Sequence, residues 1–303
     1  MPNVTSVTAR QWSVFLLVLS NVIWGSTFPL IKTSLGALSP SVLVMARFVI
    51  AAIALLPLVG FRLRAAYNTS APAIARSGLS KQLIIDGIGV SVIMFGAFLT
   101  QAIGLETAPA NRAAFITSLN VILVPIFATL LGRKISLRVA IAATLALAGV
   151  GLMSWEGGSL GVGDLWVLGC AACWAVYILR MEQIVQRYNP TMLTTVQLVA
   201  IALLSVLWAA PQARLQTAGL AASVAVILYL GLFATAFTTW TQASAQRHLS
   251  ATEAAILYTL EPVFASLFAF WWLGESWGLR GWLGGVVILV ATVLSQLRFG
   301  QGR

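Results

Sequence analysis

Glu261 is the residue with the most chemistry to offer in this chain. It stands directly before Pro262 and three residues after Tyr258, within the largely apolar run 252–273. A carboxylate in such a run costs about 2.5–3.5 kcal/mol at mid-membrane, so it belongs inside a helix bundle. Two readings are open for it: a proton carrier or substrate-amine contact, and a structural acid bonded to neighbouring helices across the break at Pro262. Arg47 is the cationic candidate, suited to a substrate carboxylate or, alternatively, to snorkelling toward the interface. Asn21, Trp24 and Phe28 recur at helical spacing in one segment, which Gly25 and Pro29 interrupt, permitting a kink. Trp174 and Tyr177 share a face of another. Gln101 and Gln242, the latter near Trp240, present amides that must find partners in an apolar medium, and Asn120 joins these substrate-contact candidates. The competing readings are ordinary packing with a tolerated proline for the first set, an interfacial aromatic belt for Trp174 and Tyr177, and helix–helix hydrogen bonding for the glutamines.

Other chemistry is missing from the pattern. His248 is the single histidine, so no His-based catalytic cluster can be assembled, and the chain reads as a non-enzyme. Cys170 and Cys173 form a C-x-x-C spacing, but they sit in an apolar helical run with no strand before them and too few partners for a metal. They read as small packing residues. No metal or cofactor is expected. The absence of a G-x-x-x-x-G-K-[ST] loop argues against nucleotide-driven pumping, and a lining of Trp, Tyr, Gln, Asn and Thr argues against phosphate-bearing cargo.

These residues need helices to hold them. The 303 residues are 59% apolar and 9% charged, too few charges to coat a water-facing globule. Apolar segments of spanning length lie near 12–31, 41–60, 84–104, 112–131 and 136–154, and again near 163–182, 190–210, 222–244, 252–273 and 278–297. The expected fold is an all-α membrane protein of ten transmembrane helices. In that setting the net charge of +10 is an orientation signal rather than a mark of nucleic-acid binding. Trp24 and Trp174, Pro40 and Pro190, and Arg47 and Gln197 are each 150 residues apart, whereas Thr100-Gln101-Ala102 and Thr241-Gln242-Ala243, Ala110 and Ala251, and Leu119 and Leu260 are 141 apart. Nine extra residues in the 61–81 connection account for both registers. The chain therefore reads as two five-helix repeats, 12–154 and 163–297, and an odd helix count per repeat forces them to lie inverted. On that topology Lys32, Arg47, Arg112, Arg214 and Arg280 fall on one side, and the other 13 of the 18 Lys and Arg on the side of the termini, which the positive-inside rule places in the cytoplasm. Gly281 and Gly285 form a G-x-x-x-G, expected at a close helix contact or a dimer face.

Trp24-Gly25-Ser26-Thr27-Phe28, Ala46-Arg47-Phe48, Leu119 to Pro125, and Leu260-Glu261-Pro262-Val263-Phe264 through Gly274-Glu275, in that order, resemble the EamA family of the drug/metabolite transporter (DMT) superfamily over essentially the whole chain. One departure is Gly132-Arg133 where the second repeat has Gly274-Glu275, since family members often carry the acid in both. The resemblance implies the EamA/DMT fold, two inverted repeats around a central cavity, in a bacterial inner-membrane carrier that exports small metabolites. YddG-type exporters of neutral and aromatic amino acids are its nearest functional relatives on this reading. The expected partners are a small-molecule substrate and the lipid bilayer, with no nucleic acid, and the chain acting as a monomer or homodimer. Proton-coupled drug or metabolite efflux is the alternative, and a membrane-embedded enzyme a more distant one.

Overall fold

A computed structural model describes residues 4–34, 37–68, 80–105, 107–108, 110–154, 161–273 and 278–296. Gly274, Glu275 and most of the 61–81 connection lie outside the described residues, as do the side chains of Phe28 and Pro29. Each apolar segment expected from hydropathy is helical, as it must be where no water is available to the backbone. In chain order these are α1 (Val4–Ser34), α2 (Pro40–Asn68), α3 (Lys81–Leu105), α4a (Ala110–Ser118) with α4b (Asn120–Leu130), α5 (Leu137–Ser154), α6 (Val162–Ile184) and α7 (Pro190–Ala213). A short helix, Thr217–Ala222, leads into α8a (Val224–Gly231), a π-helical turn (Leu232–Phe237) and α8b (Thr238–Ala245). Then come α9a (Ala251–Tyr258), α9b (Glu261–Leu273) and α10 (Leu279–Gln296). Among the described residues five stretches are long and apolar enough to cross a bilayer: Pro40–Phe61, Lys81–Gly104, Val162–Ile184, Pro190–Ala213 and Val224–Ala245. Phe115–Leu130, Leu137–Met153 and Leu279–Ser295 are shorter apolar helices.

Local chemistry sets several helix starts. Asn189 caps α7, its side chain accepting from Thr191 N at 3.0 Å with Pro190 in the first turn. Ser250 and Glu253 form a reciprocal capping box that opens α9a. Two interruptions are internal. α4 breaks at Leu119, where Leu119 N donates to Ile116 O, and α9 breaks at Thr259 and Leu260, whose N–H groups donate to Ile256 O and Leu257 O. The breaks occupy equivalent places in the two registers, and Asn120 and Glu261 each open the second segment. By contrast α1 runs as one helix through Gly25 and Pro29. Gly25 serves a close approach instead: a Cβ there would lie 2.6 Å from Phe264 Cβ and 2.7 Å from Ala265 N of α9b.

The halves interdigitate. α1 packs on α8 and α9, and α6 packs on α3 and α4; α2 packs on α8, and α7 on α3; α2 with α7, α4 with α9 and α5 with α10 meet their own counterparts. Exchanging each helix for the one five later leaves this pattern unchanged, as a two-fold relation between the halves requires. The connections also sort onto two faces. On one, Arg10 pairs with Glu253 at 2.7 Å, Arg133 pairs with Glu182, Ala251 N donates to Glu182 Oε1, and Tyr188 Oη donates to Asp86 Oδ2 at 2.7 Å. On the other, Ser39 N donates to Gln216 Oε1 at 2.8 Å, Ser41 Oγ donates to Gln212, and Gly163 at the start of α6 abuts the α3–α4 connection at Thr107. α1 thus begins on the first face and α6 on the second, so the halves point in opposite directions. On α10 a close glycine contact is made by Gly284, which meets Gly149 of α5, where a Cβ would lie 2.5 Å from Gly149 O. Gly149 reciprocates, its Cβ position falling 2.8 Å from Gly284 O.

Candidate functional site

Between the halves, side chains from six helices close a circuit. Trp24 of α1 donates through Nε1 to Ala234 O at 3.0 Å and to Thr238 Oγ1 at 3.1 Å. Arg47 of α2 donates through Nε to Thr235 Oγ1 at 2.8 Å and through Nη2 to the same Ala234 O at 3.1 Å. Its guanidinium lies 5.5 Å from the ring centroid of Phe98 on α3 and 5.8 Å from that of Phe48, within cation–π range. Phe98 meets Trp174 of α6 edge-on at 5.7 Å, and Trp174 meets Tyr177 edge-on at 5.5 Å. Tyr177 lies within electrostatic range of Tyr258 on α9a, which returns to Trp24 at 5.6 Å. Arg47 does not snorkel to the interface. Its polar and aromatic supports all lie inside the bundle.

Glu261 sits at the first position of α9b, half-buried, with Arg47 as its charge partner across the site. A cation and a carboxylate from opposite halves thus face one interior, each offsetting the cost of burying the other. The start of a helix also favours negative charge. Several polar atoms here lack a hydrogen-bond partner: Tyr177 Oη, Tyr258 Oη and Asn21 Oδ1, although Asn21 Nδ2 donates to Leu17 O at 2.6 Å. Tyr177 stands beside Gln197 of α7 without hydrogen-bond geometry between them, and Gln197 Nε2 turns to Met181 Sδ at 3.1 Å. A buried hydroxyl with no partner is costly to an apolar core. Such atoms are what a polar guest or internal water would satisfy.

Not every expected residue joins the circuit. Trp240 donates to Thr191 Oγ1 at 3.2 Å, binding α8b to α7 near the face that carries Arg10. Gln242 is buried on α8b, while Gln101 and Asn120 are half-buried on α3 and at the start of α4b, outside the described contacts of the circuit. Cys170 is buried beside Thr117 of α4a, and both cysteines are free thiols. Among the described residues no group of His, Cys, Asp and Glu could hold a metal. Reasoning from sequence does not single out Phe48, Phe98, Thr235 or Thr238 as members of the site. Phe98 is within its reach, lying one turn from Gln101 on the same face, and Thr235 and Thr238 repeat at helical spacing ahead of Gln242. A separate recess of about 460 Å³, lined by Val22, Ile23, Ser26, Tyr229 and Phe268, opens beside α1. Ser26 lies about 200° around the helix from Trp24, so this recess belongs to the opposite side of α1.

Comparison with known proteins places the same architecture elsewhere. The profile of the EamA-like transporter family matches residues 11–155 and, a second time, residues 161–297. An uncharacterized transporter of Archaeoglobus fulgidus is 32% identical over 95% of this chain and 87% of its own length. A probable terminal-alkyne amino-acid exporter of Streptantibioticus cattleyicolor is 27% identical over 94% of each chain. The uncharacterized transporter YdfC of Bacillus subtilis is 25% identical over 92% of this chain and 89% of its own. A solved crystal structure shares the fold at a TM-score of 0.72 and 18% identity, covering 94% of this chain and 96% of that one.

Proposed function

The chain belongs to the EamA-like transporter family, and from that premise we propose that it is a secondary carrier that exports small amphipathic solutes, neutral or aromatic amino acids first, by alternating access. It is a transporter of small molecules across a membrane, and the finer reading concerns its cargo and cycle. The observation that carries the reading is the placement of Arg47 and Glu261 in opposite halves, facing one interior walled by Trp24, Phe98, Trp174, Tyr177 and Tyr258. A zwitterion has a carboxylate for the first, an ammonium for the second and a side chain for the aromatic wall. The name of the Streptantibioticus relative, an amino-acid exporter, supports the same direction.

The repeats run from 12 to 154 and from 163 to 297, and alternating access exchanges their two equivalent packings around this site. Their basic connections put both termini in the cytoplasm of a bacterial inner membrane. Counterflow of neutral and aromatic amino acids in proteoliposomes tests the cargo; exchange that no amino acid accelerates, alongside chemical change in a lipid, would overturn the reading. Fusing a reporter active on only one side of the membrane to the carboxyl end tests the orientation. Proton coupling through Glu261 is a second reading, favoured by its position at a helix break inside the bundle. Glu261→Gln under an imposed pH gradient is expected to abolish the proton dependence of transport; coupling that persists would rule out Glu261 as the proton carrier.

A further inference from the structure

The π-helical turn of α8 is placed to orient Arg47, and its contacts define what Arg47 can still bind. A π-turn presents carbonyls that a regular helix would keep for its own ladder, and Ala234 O here accepts from three side chains: Trp24 Nε1, Arg47 Nη2 and Thr238 Oγ1, at 3.0, 3.1 and 2.9 Å. Thr235 is buried, and its hydroxyl donates to Leu230 O at 2.8 Å. With its one proton committed there, Thr235 Oγ1 can only accept from Arg47 Nε. Nε and Nη2 form the side-on edge of the guanidinium, and both are directed to the turn. The end-on edge, Nη1 with the remaining Nη2 proton, is a two-donor fork that matches a single carboxylate. Phe98 and Phe48 flank the guanidinium.

We propose that Thr235, within this turn, is a positioning residue that makes the carrier selective for a free carboxylate by locking the side-on edge of Arg47 and leaving the end-on fork for the substrate. The inference rests on the amino-acid reading above and extends it from Arg47 to the turn that aims it. Nothing equivalent exists in the other half: the register that pairs Gln101 with Gln242 pairs Thr235 with Met94, inside the uninterrupted helix α3.

The test is competition in counterflow between a neutral amino acid and its carboxamide, which keeps the amine and side chain and loses the negative charge. The wild-type carrier is expected to favour the acid, and Thr235→Val to weaken acid affinity by about tenfold and amide affinity by clearly less, so that the acid preference falls. Thr235→Ser, which keeps the acceptor, should restore acid preference. Retained exchange of the amide by Thr235→Val also establishes that the variant is folded. Equal loss of acid and amide in Thr235→Val, or acid preference equal to wild type, overturns the positioning role while the amino-acid reading stands. A wild-type carrier that treats acid and amide alike overturns both.

Discussion

The internal two-fold carries Arg47 onto Gln197 and Glu261 onto Asn120, and these two places are built alike yet charged differently. Asn120 and Glu261 both open the second segment of a broken helix. Arg47 and Gln197 both sit where the second helix of one half packs on the third helix of the other. Trp24 and Trp174 stand near each as paired aromatics. Yet one place holds a cation and a carboxylate, and the other two neutral amides. α8 meets Arg47 with a π-turn, whereas α3 meets α7 with regular helix, Ser91 Oγ donating to Gln197 O at 3.2 Å. Duplicated scaffolding supplies two equivalent packings of the halves. The unduplicated charges give one side of the interior a polarity the other lacks, and on the proposed reading selectivity belongs to that side.

Making the two places alike is the most severe way to break the comparison. Arg47→Gln copies the residue of α7 into α2 and strips Glu261 of its charge partner. Loss of a hydrogen bond to a charged group costs about 1.5–3 kcal/mol, and amino-acid counterflow is expected to fall by roughly one to two orders of magnitude. A variant that still exchanges free amino acids at near wild-type rate would remove Arg47 from the site.

A smaller effect is expected where the halves are truly equivalent. Gly284→Val at the α5–α10 crossing puts side-chain carbons against Gly149 O and Met153, for a cost of about 1–3 kcal/mol. Thermal unfolding in detergent should start several degrees lower while the ratio of acid to amide affinity is unchanged, because this contact lies outside the charged side. An unchanged unfolding temperature would remove the Gly284–Gly149 crossing from the contacts that hold the halves together.

The least disruptive change is Tyr177→Phe. It removes a buried hydroxyl without a hydrogen-bond partner, so the melting temperature should hold or rise slightly. Substrate affinity should fall by about threefold if a guest satisfies that oxygen, as isothermal titration would measure. An affinity equal to wild type would assign Tyr177 to packing alone.

Several of these residues are legible in the amino-acid sequence. Trp24, Trp174, Tyr177, Tyr258, Arg47 and Glu261 stand out by type and spacing, and the circuit contains or faces them all. Trp240 shares their chemistry but not their place, because its hydrogen bond to Thr191 commits it to the α7 contact. Phe98 escapes notice because its one cue, a place one turn from Gln101, is shared with other apolar residues of α3.

Sequence by itself determined which segments are helical and that they repeat, and it set the expectation of how the charges divide between the two sides. Each of these follows from local apolarity, spacing or a count of Lys and Arg, none of which needs to know a neighbour. Tertiary structure alone decided that Arg47 turns inward to Thr235 and Ala234, that Phe98 bridges the cation to Trp174, and that Gly284 is the residue meeting Gly149. Lipid and bundle interior are both apolar, so a membrane helix has little of the amphipathic stripe that tells inside from outside in water. Which face turns inward is settled by packing against helices that lie far away in the chain.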